Sequence, residues 1–427
     1  MRSLLPIALV LGCGSNTTLE LPRRAEFVTP ERPSRCVDVS MTDDVASIVE
    51  AARPGEALCL GDGTWVGRLA VPVGVTVWGT PAAVVKTLGS GTTIRLGAGA
   101  TLIGVTVDGS GGRFDVLDAA VHVEGEDTRV EGVVVKNAAF GILVEKARRA
   151  VVRGNHVIGP GGPLGVRGDG VRLWEVKDSL IEGNLIERSR DVVVWYSSGN
   201  RIIGNEMHEG RYGAHFMYSH RNTVARNLYV GNEVGIFAMY SRDLTIEDNA
   251  LLSSAGSAGI GLGLKESGNV IVRRNLFLGN TQGLFIDNSP LEPKDSNLFE
   301  DNVLELSEVA IGFLSSQRDN TFRRNTLRNN RTQVRVEGGG DAMALVWEEN
   351  DWDDYAGYDL DRDGVGDVPY QLRDLSGALL ARHADLAFLD GTPALGLMSI
   401  AGQVAPLLAP KPVLEDARPR MERRHAY

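Results

Sequence analysis

Short apolar runs separated by polar corners recur along most of the chain, and they keep step with one residue type. Asn stands at 155, 184, 205, 227, 249, 275, 302, 325 and 350. Three residues before each stands an apolar side chain: Val152, Ile181, Ile202, Val224, Ile246, Val272, Phe299, Phe322 and Trp347. Two residues after come Val157, Ile186, Met207, Tyr229, Leu251, Phe277, Leu304 and Leu327. Successive Asn residues are 21 to 29 apart, and each unit carries a β-rich run such as 235–241 (GIFAMYS) or 283–289 (GLFIDNS). Short strands and tight corners at such a period predict one solenoid turn per unit. Leucine-rich repeats would need Leu in these columns, and a propeller blade needs about twice the period.

The expected fold is therefore all-β, a single-stranded right-handed parallel β-helix. Asn tolerates the left-handed conformation of a tight corner better than most residues, so the recurrent Asn is expected there. Stacked Asn side chains can also hydrogen-bond along a ladder. A second ladder is expected through Ser198, Ser219, Ser241, Ser267, Ser289 and Ser316. Alternating runs at 75–79, 93–97, 102–109 and 121–125 read as earlier rungs. Residues 43–53 have helical apolar spacing, with Val45, Ile48 and Val49 on one side, and predict a short helix capping the open N-terminal end. The stretches 159–168, 253–259 and 290–296 read as loops leaving corners. Residues 378–389 read as an amphipathic helix, and 394–409 is apolar but a poor membrane span. The expected order is an export signal at 1–12, a linker and cap at 13–60, the β-helix at 61–350, an Asp-rich loop at 351–372 and a helical tail at 373–427.

The N-terminus changes the picture of where the chain works. Arg2 precedes a short apolar run from Leu4 to Leu11, which reads as a cleaved export signal. Val10-Leu11-Gly12-Cys13 resembles a bacterial lipobox, so Cys13 is a candidate for lipidation in the periplasm. An ordinary cleavage site slightly downstream is the plainer alternative. The remaining two cysteines, Cys36 and Cys59, form either one disulfide, as export favours, or two buried thiols. The formal net charge of −11 among 427 residues argues against a protein that tracks nucleic-acid phosphates. No phosphate-cradling GxxxxGK[ST] run occurs, so an ATP-driven step belongs to a partner.

Side chains alternate along a strand, so Ile236 and Ala238 are expected inside and Phe237 and Met239 outside. Neighbouring rungs then place Arg172 and Trp174, Val194 and Tyr196, His215 and Met217, Lys265 and Phe285 in the outward column. Tyr218 and Tyr240 follow at the adjoining corner. An exposed aromatic and Met-rich stripe reads as a docking surface, here Trp174, Tyr196, Tyr218, Phe237 and Tyr240. Within it His215, Met217 and Met239 offer imidazole and thioether donors, which suit Cu(I). The plainer reading makes them contacts for a protein partner. At the preceding corner Asp169 and Asp191 share a column, flanked by Arg190 and Arg211. Two carboxylates about 5 Å apart would suit a retaining glycosidase, but a self-neutralising ion ladder fits the same residues.

Asp359, Asp361, Asp363 and Asp367, with Gly364, match most of an EF-hand calcium loop. Tyr370 stands where the bidentate Glu belongs, so Ca²⁺ and a plain acidic turn both remain open.

The runs 168–174 (GDGVRLW), 191–202 (DVVVWYSSGNRI), 212–220 (YGAHFMYSH), 234–241, 261–267, 283–290 and 350–370 (NDWDDYAGYDLDRDGVGDVPY) together resemble the NosD family. The likeness spans roughly residues 130 to 420. It implies an exported β-helix assembly protein, not an enzyme, that serves the copper centre of nitrous oxide reductase. It also implies partners: an ABC-type transporter gripped by the C-terminal tail, a copper-donating lipoprotein, and the reductase. The Met/His/aromatic face would handle copper or dock the donor and the reductase. A carbohydrate-active enzyme using Asp169 and Asp191, and a metal-free docking platform, are the competing readings.

Overall fold

The computed structural model describes residues 31–87, 89–373 and 411–421, with isolated positions outside them. Its strands form three long sheets of 14, 13 and 12 strands, and each turn contributes one strand to each sheet. One such turn runs Arg201–Ile203, Glu206–His208 and Tyr212–Met217. Every pairing in these sheets is between parallel strands of successive turns, so the molecule is a parallel β-solenoid, as its apolar columns require. The parallel stack runs from Val37–Val39 to Asp351–Trp352. Among the described residues up to 373, helix is confined to Val45–Ala51 and two short 3₁₀ turns.

The two apolar columns of the repeat point inward. Ile202, Val224, Ile246 and Val272 are fully buried, as are Leu251, Phe277, Leu304 and Leu327. Removing such side chains from water stabilises the fold by about 1.5–3 kcal/mol each. Near the C-terminal end the column becomes aromatic. Phe299 stacks on Phe322 and Phe322 on Trp347, and Trp352 stacks on Tyr370.

The Asn ladder forms, but the Asn residues are not the left-handed ones. The residue before each Asn takes that conformation: Gly154, Gly183, Gly204, Arg226, Asp248, Arg274, Asp301, Arg324 and Glu349, with φ between 52° and 62°. The Asn side chain instead turns inward. Asn205, for example, donates its backbone N–H and its Nδ2–H to Asn227 Oδ1, and a second Nδ2–H to the carbonyl of Ile181. The same pattern repeats through Asn155, Asn184, Asn249, Asn275, Asn302, Asn325 and Asn350. A buried amide that satisfies three groups on two rungs explains the Asn better than corner tolerance does. The serine ladder is also displaced by one residue at each end. It runs Ser197, Ser219, Ser241, Ser267 and Ser289, then ends on Gln317. Ser198 and Ser316 stand outside it.

Both ends are closed. At the start, Val45–Ala51 buries Val45 and Val49, and Asp44 caps the helix by accepting from the Ser47 N–H. A disulfide joins Cys36 to Cys59 across the first two rungs, with Cα atoms 5.7 Å apart. At the other end, Leu414–Asp416 pairs antiparallel with Tyr370–Leu372. The carboxylate of Asp416 accepts from the N–H and Nδ2–H of Asn350 and from Trp352 Nε1. The expected export signal and Cys13 lie outside the described residues, as do the helices at 378–389 and 394–409 apart from isolated positions.

Candidate functional site

The outward face of the 12-stranded sheet carries the chemistry. Its strands include Val171–Trp174, Asp191–Trp195, Tyr212–Met217, Val234–Met239 and Ile260–Lys265. Pairing sets two outward columns. One runs Arg172, Val193, His215, Phe237, Gly263 and Phe285, and the other Trp174, Trp195, Met217, Met239, Lys265 and Asp287. Val194 and Tyr196, expected in these columns, are not there. Val194 is buried inside, and Tyr196 sits on the corner beyond. A slip of one residue exchanges the faces of a strand, so Val193 and Trp195 take the outward places. The slip goes with a bulge, because Gly213 and Ala214 face the single residue Val192.

His215, Met217 and Met239 do meet. Met217 and Met239 are register partners, and His215 Nε2 lies 3.4 Å from Met239 Sδ. The imidazole is closed in by rings, with Tyr212 at 4.6 Å and Trp195 perpendicular at 5.4 Å between centroids. Burial pushes the His215 pKa down to about 4, with the Arg211 charge adding to that effect and Asp191 opposing it. At neutral pH the ring is therefore uncharged and free to act as a ligand. Its Nδ1 is buried and has no hydrogen-bond partner. Phe237 lies across Gly263, where a Cβ would come within 2.4 Å of the ring.

The tyrosines form a ladder of their own. Tyr196 stacks on Tyr218 at 5.5 Å and Tyr218 on Tyr240 at 4.8 Å. All three have φ near 50°, an uncommon conformation for bulky side chains. Tyr196 and Tyr218 are exposed. Trp174 packs on Tyr196 and Trp195, and Arg172 covers both indoles. Lys265 pairs with Asp287 at 3.1 Å, and Phe285 is half-buried.

Beside this face, Asp169 and Asp191 are shut away from solvent and held by arginines. Asp169 pairs with Arg172 and Arg190, and Asp191 with Arg190 and Arg211. Burial raises the Asp169 pKa, and Arg190 works against that rise. The arrangement is a buried ion ladder in which each carboxylate is paired with two arginines. It has a consequence for the site: Arg211 reaches from Asp191 over the Tyr212 ring, 4.7 Å from its centroid, and so fixes the ring that covers His215.

At the C-terminal end, single carboxylate oxygens of Asp359, Asp361 and Asp363 lie within 4.8 Å of one another. Asp367 turns instead to the N–H of Leu360, and Tyr370 is buried against Trp352. The N–H groups of Gly364 and Arg362 outweigh desolvation and hold Asp359 below the usual carboxylate range.

Sequence reasoning missed Trp195, Tyr212 and the role of Arg211. Trp195 had a signal: it stands two residues before Ser197, as Met217 stands before Ser219 and Met239 before Ser241.

A family model described as "Periplasmic copper-binding protein (NosD)" matches residues 159–357, which include this face. A relative named "Probable ABC transporter binding protein NosD" from Stutzerimonas stutzeri is 26% identical, across 84% of this chain and 85% of its own. One of the same name from Pseudomonas aeruginosa is 27% identical, across 74% and 78%. Among solved structures, a GH87 α-1,3-glucanase catalytic unit from Streptomyces thermodiastaticus has a TM-score of 0.59 at 14% identity, covering 76% of this chain and 70% of that one. A GH87 catalytic domain with nigerose has a TM-score of 0.58 at 10% identity, covering 77% and 71%. Such identities show a shared fold and no shared chemistry. Fold and face together define a parallel β-solenoid with an outward face of soft donors and aromatic rings. The family and relative matches go further, and the chain is similar to the NosD family across this stretch.

Proposed function

We propose that this chain carries Cu(I) as cargo at His215, Met217 and Met239, for assembly of the copper centre of nitrous oxide reductase. The observation that carries this reading is the approach of His215 Nε2 to Met239 Sδ at 3.4 Å. Uncharged imidazole and thioether are soft ligands that suit Cu(I) and cede it again to a similar set. The matched family description names copper binding, and both relatives are named for binding an ABC transporter; these support a copper cargo and a transporter partner. In this reading the tail at 373–427 grips the transporter's membrane subunit. The copper-donating lipoprotein and the reductase dock on the aromatic stripe of Trp174, Tyr196, Tyr218, Phe237 and Tyr240. Lipidation of Cys13 would hold the assembly at a membrane surface in the periplasm, and the mass of the mature N-terminus tests that.

The central test is an anaerobic Cu(I) titration of the purified mature chain. One tightly held ion per chain is expected, lost when His215, Met217 and Met239 are all changed to Ala. Equal uptake by the triple variant would remove the ligand assignment. A chain that takes up no copper would be a docking platform.

A further inference from the structure

We infer that Trp195 is the fourth member of the soft-cation site, an aromatic wall that favours a weakly hydrated monovalent ion over hydrated divalent ones. This rests on the Cu(I) reading of His215, Met217 and Met239. The four residues occupy three consecutive rungs of one face. Trp195 stands directly before Met217 in the same column, and Met217 directly before Met239. The Trp195 indole is perpendicular to the His215 imidazole at 5.4 Å between centroids. It is half-buried, and its Nε1 is closed off from solvent without a hydrogen-bond partner.

The ring is already used to hold a cation. The Arg172 guanidinium lies 5.4 Å from its centroid, and Asp169 balances that charge through a 3.2 Å ion pair. Among side chains, Trp offers the best π face to a cation, and the attraction grows when the cation is desolvated. The contacts around His215 are of the same kind: Tyr212 covers the imidazole, Phe237 follows it in the column, and Met239 supplies sulfur. Thioether, neutral imidazole and indole bring no formal negative charge. A divalent ion gains little from them in exchange for its water, whereas Cu(I) or Ag(I) gains soft donors. The sequence column of Trp, Met and Met, with His beside it, is thus one composite site.

The test uses Ag(I) as a redox-inert probe and Cu(I) under anaerobic conditions, each added to the mature full-length chain. Indole emission and near-ultraviolet difference absorption are followed for the wild type and for Trp195→Leu, Trp195→Phe and Trp174→Phe. The expected result is an indole response in the wild type that survives Trp174→Phe and vanishes in both Trp195 variants. Trp195→Leu should bind either ion roughly tenfold more weakly, with Trp195→Phe between it and the wild type. Zn(II) affinity should not change. The melting transition of each variant is measured alongside, and Trp195→Phe keeps the test decisive if the Leu variant fails to fold. Unchanged affinity in the Trp195 variants, or an indole response that persists in them, would overturn the role of Trp195 and leave the copper reading standing. No uptake of either ion by the wild type would remove both.

Discussion

His215 Nε2 and Met239 Sδ face each other at 3.4 Å across one rung of the sheet, and the imidazole there is held uncharged by burial. Its pKa, pushed down to about 4, lies below the unfolded value near 6.5. Cu(I) or Ag(I) affinity should therefore be nearly flat from pH 7.5 to about 5, because few protons compete for the ring. An exposed histidine ligand would weaken from pH 6.5 downward. Titrations at several pH values distinguish the two.

The same shift sets a stability trend. The unfolded chain binds a proton at His215 below pH 6.5 and the folded chain only near pH 4, so unfolding is favoured as pH falls through that window. The His215 contribution is fully present above pH 6.5. His215→Phe should flatten the difference in unfolding midpoint between pH 7 and pH 5, read by thermal denaturation without metal.

The interior amide ladder should be intolerant of change. Asn227→Ala removes the acceptor used by the Asn205 N–H and Nδ2–H and the donor to the carbonyl of Ile202. Buried groups left unpaired cost about 1–3 kcal/mol each, so a loss of several kcal/mol in denaturant unfolding is expected. Asp416→Asn should cost far less, about 1 kcal/mol, because that place asks mainly for an acceptor. Comparable losses at the two positions would refute the ladder's assigned direction.

The ion ladder beside the site should be asymmetric in the same way. Arg190→Ala leaves Asp169 with Arg172 alone, and stripping one partner from a buried pair costs about 3–5 kcal/mol. Arg211→Ala should cost less in stability, since Arg211 is more exposed than Arg190 and Asp191 keeps Arg190 as a partner. It should instead loosen Tyr212 and weaken Cu(I) uptake. Equilibrium unfolding and metal titration on both variants separate the two effects.

The acidic loop makes a weaker prediction of its own. With Asp359, Asp361 and Asp363 clustered and no bidentate Glu at the twelfth place, Ca²⁺ binding is expected in roughly the 10⁻⁴–10⁻³ M range of extracellular modules. Asp359→Ala should abolish it in calorimetry. Absence of any heat from wild type would leave the loop as a plain acidic turn.

How much of this was readable beforehand depended on how each residue is constrained. The Asn columns and their flanking apolar residues were legible because a side chain buried on every rung admits few substitutes. The reason for Asn was not legible, since the left-handed place beside it accepts Gly, Arg, Asp and Glu alike and leaves no signature. The outward face was legible at Met217 and Met239, which are anchored by Ser219 and Ser241. It failed at Trp195 because two serines, Ser197 and Ser198, stand together, and counting back from the wrong one shifts the strand by a residue. Tyr212 escaped notice because a bulge near Val192 breaks the simple alternation. The role of Arg211 in setting that ring depends on contacts across rungs, which no local spacing reveals.

The amide ladder also has a head and a tail. Each Asn passes one Nδ2–H onward to the oxygen of the next, always in the same sense along the axis, from Asn155 towards Asn350. Asp416 receives the last of them with a group that has no hydrogen to hand on. Any further rung laid on that end, from another copy or a misfolded neighbour, would meet a carboxylate where it needs an amide. Open solenoid ends invite edge-to-edge growth into fibres, and here one carboxylate serves as the chain's full stop.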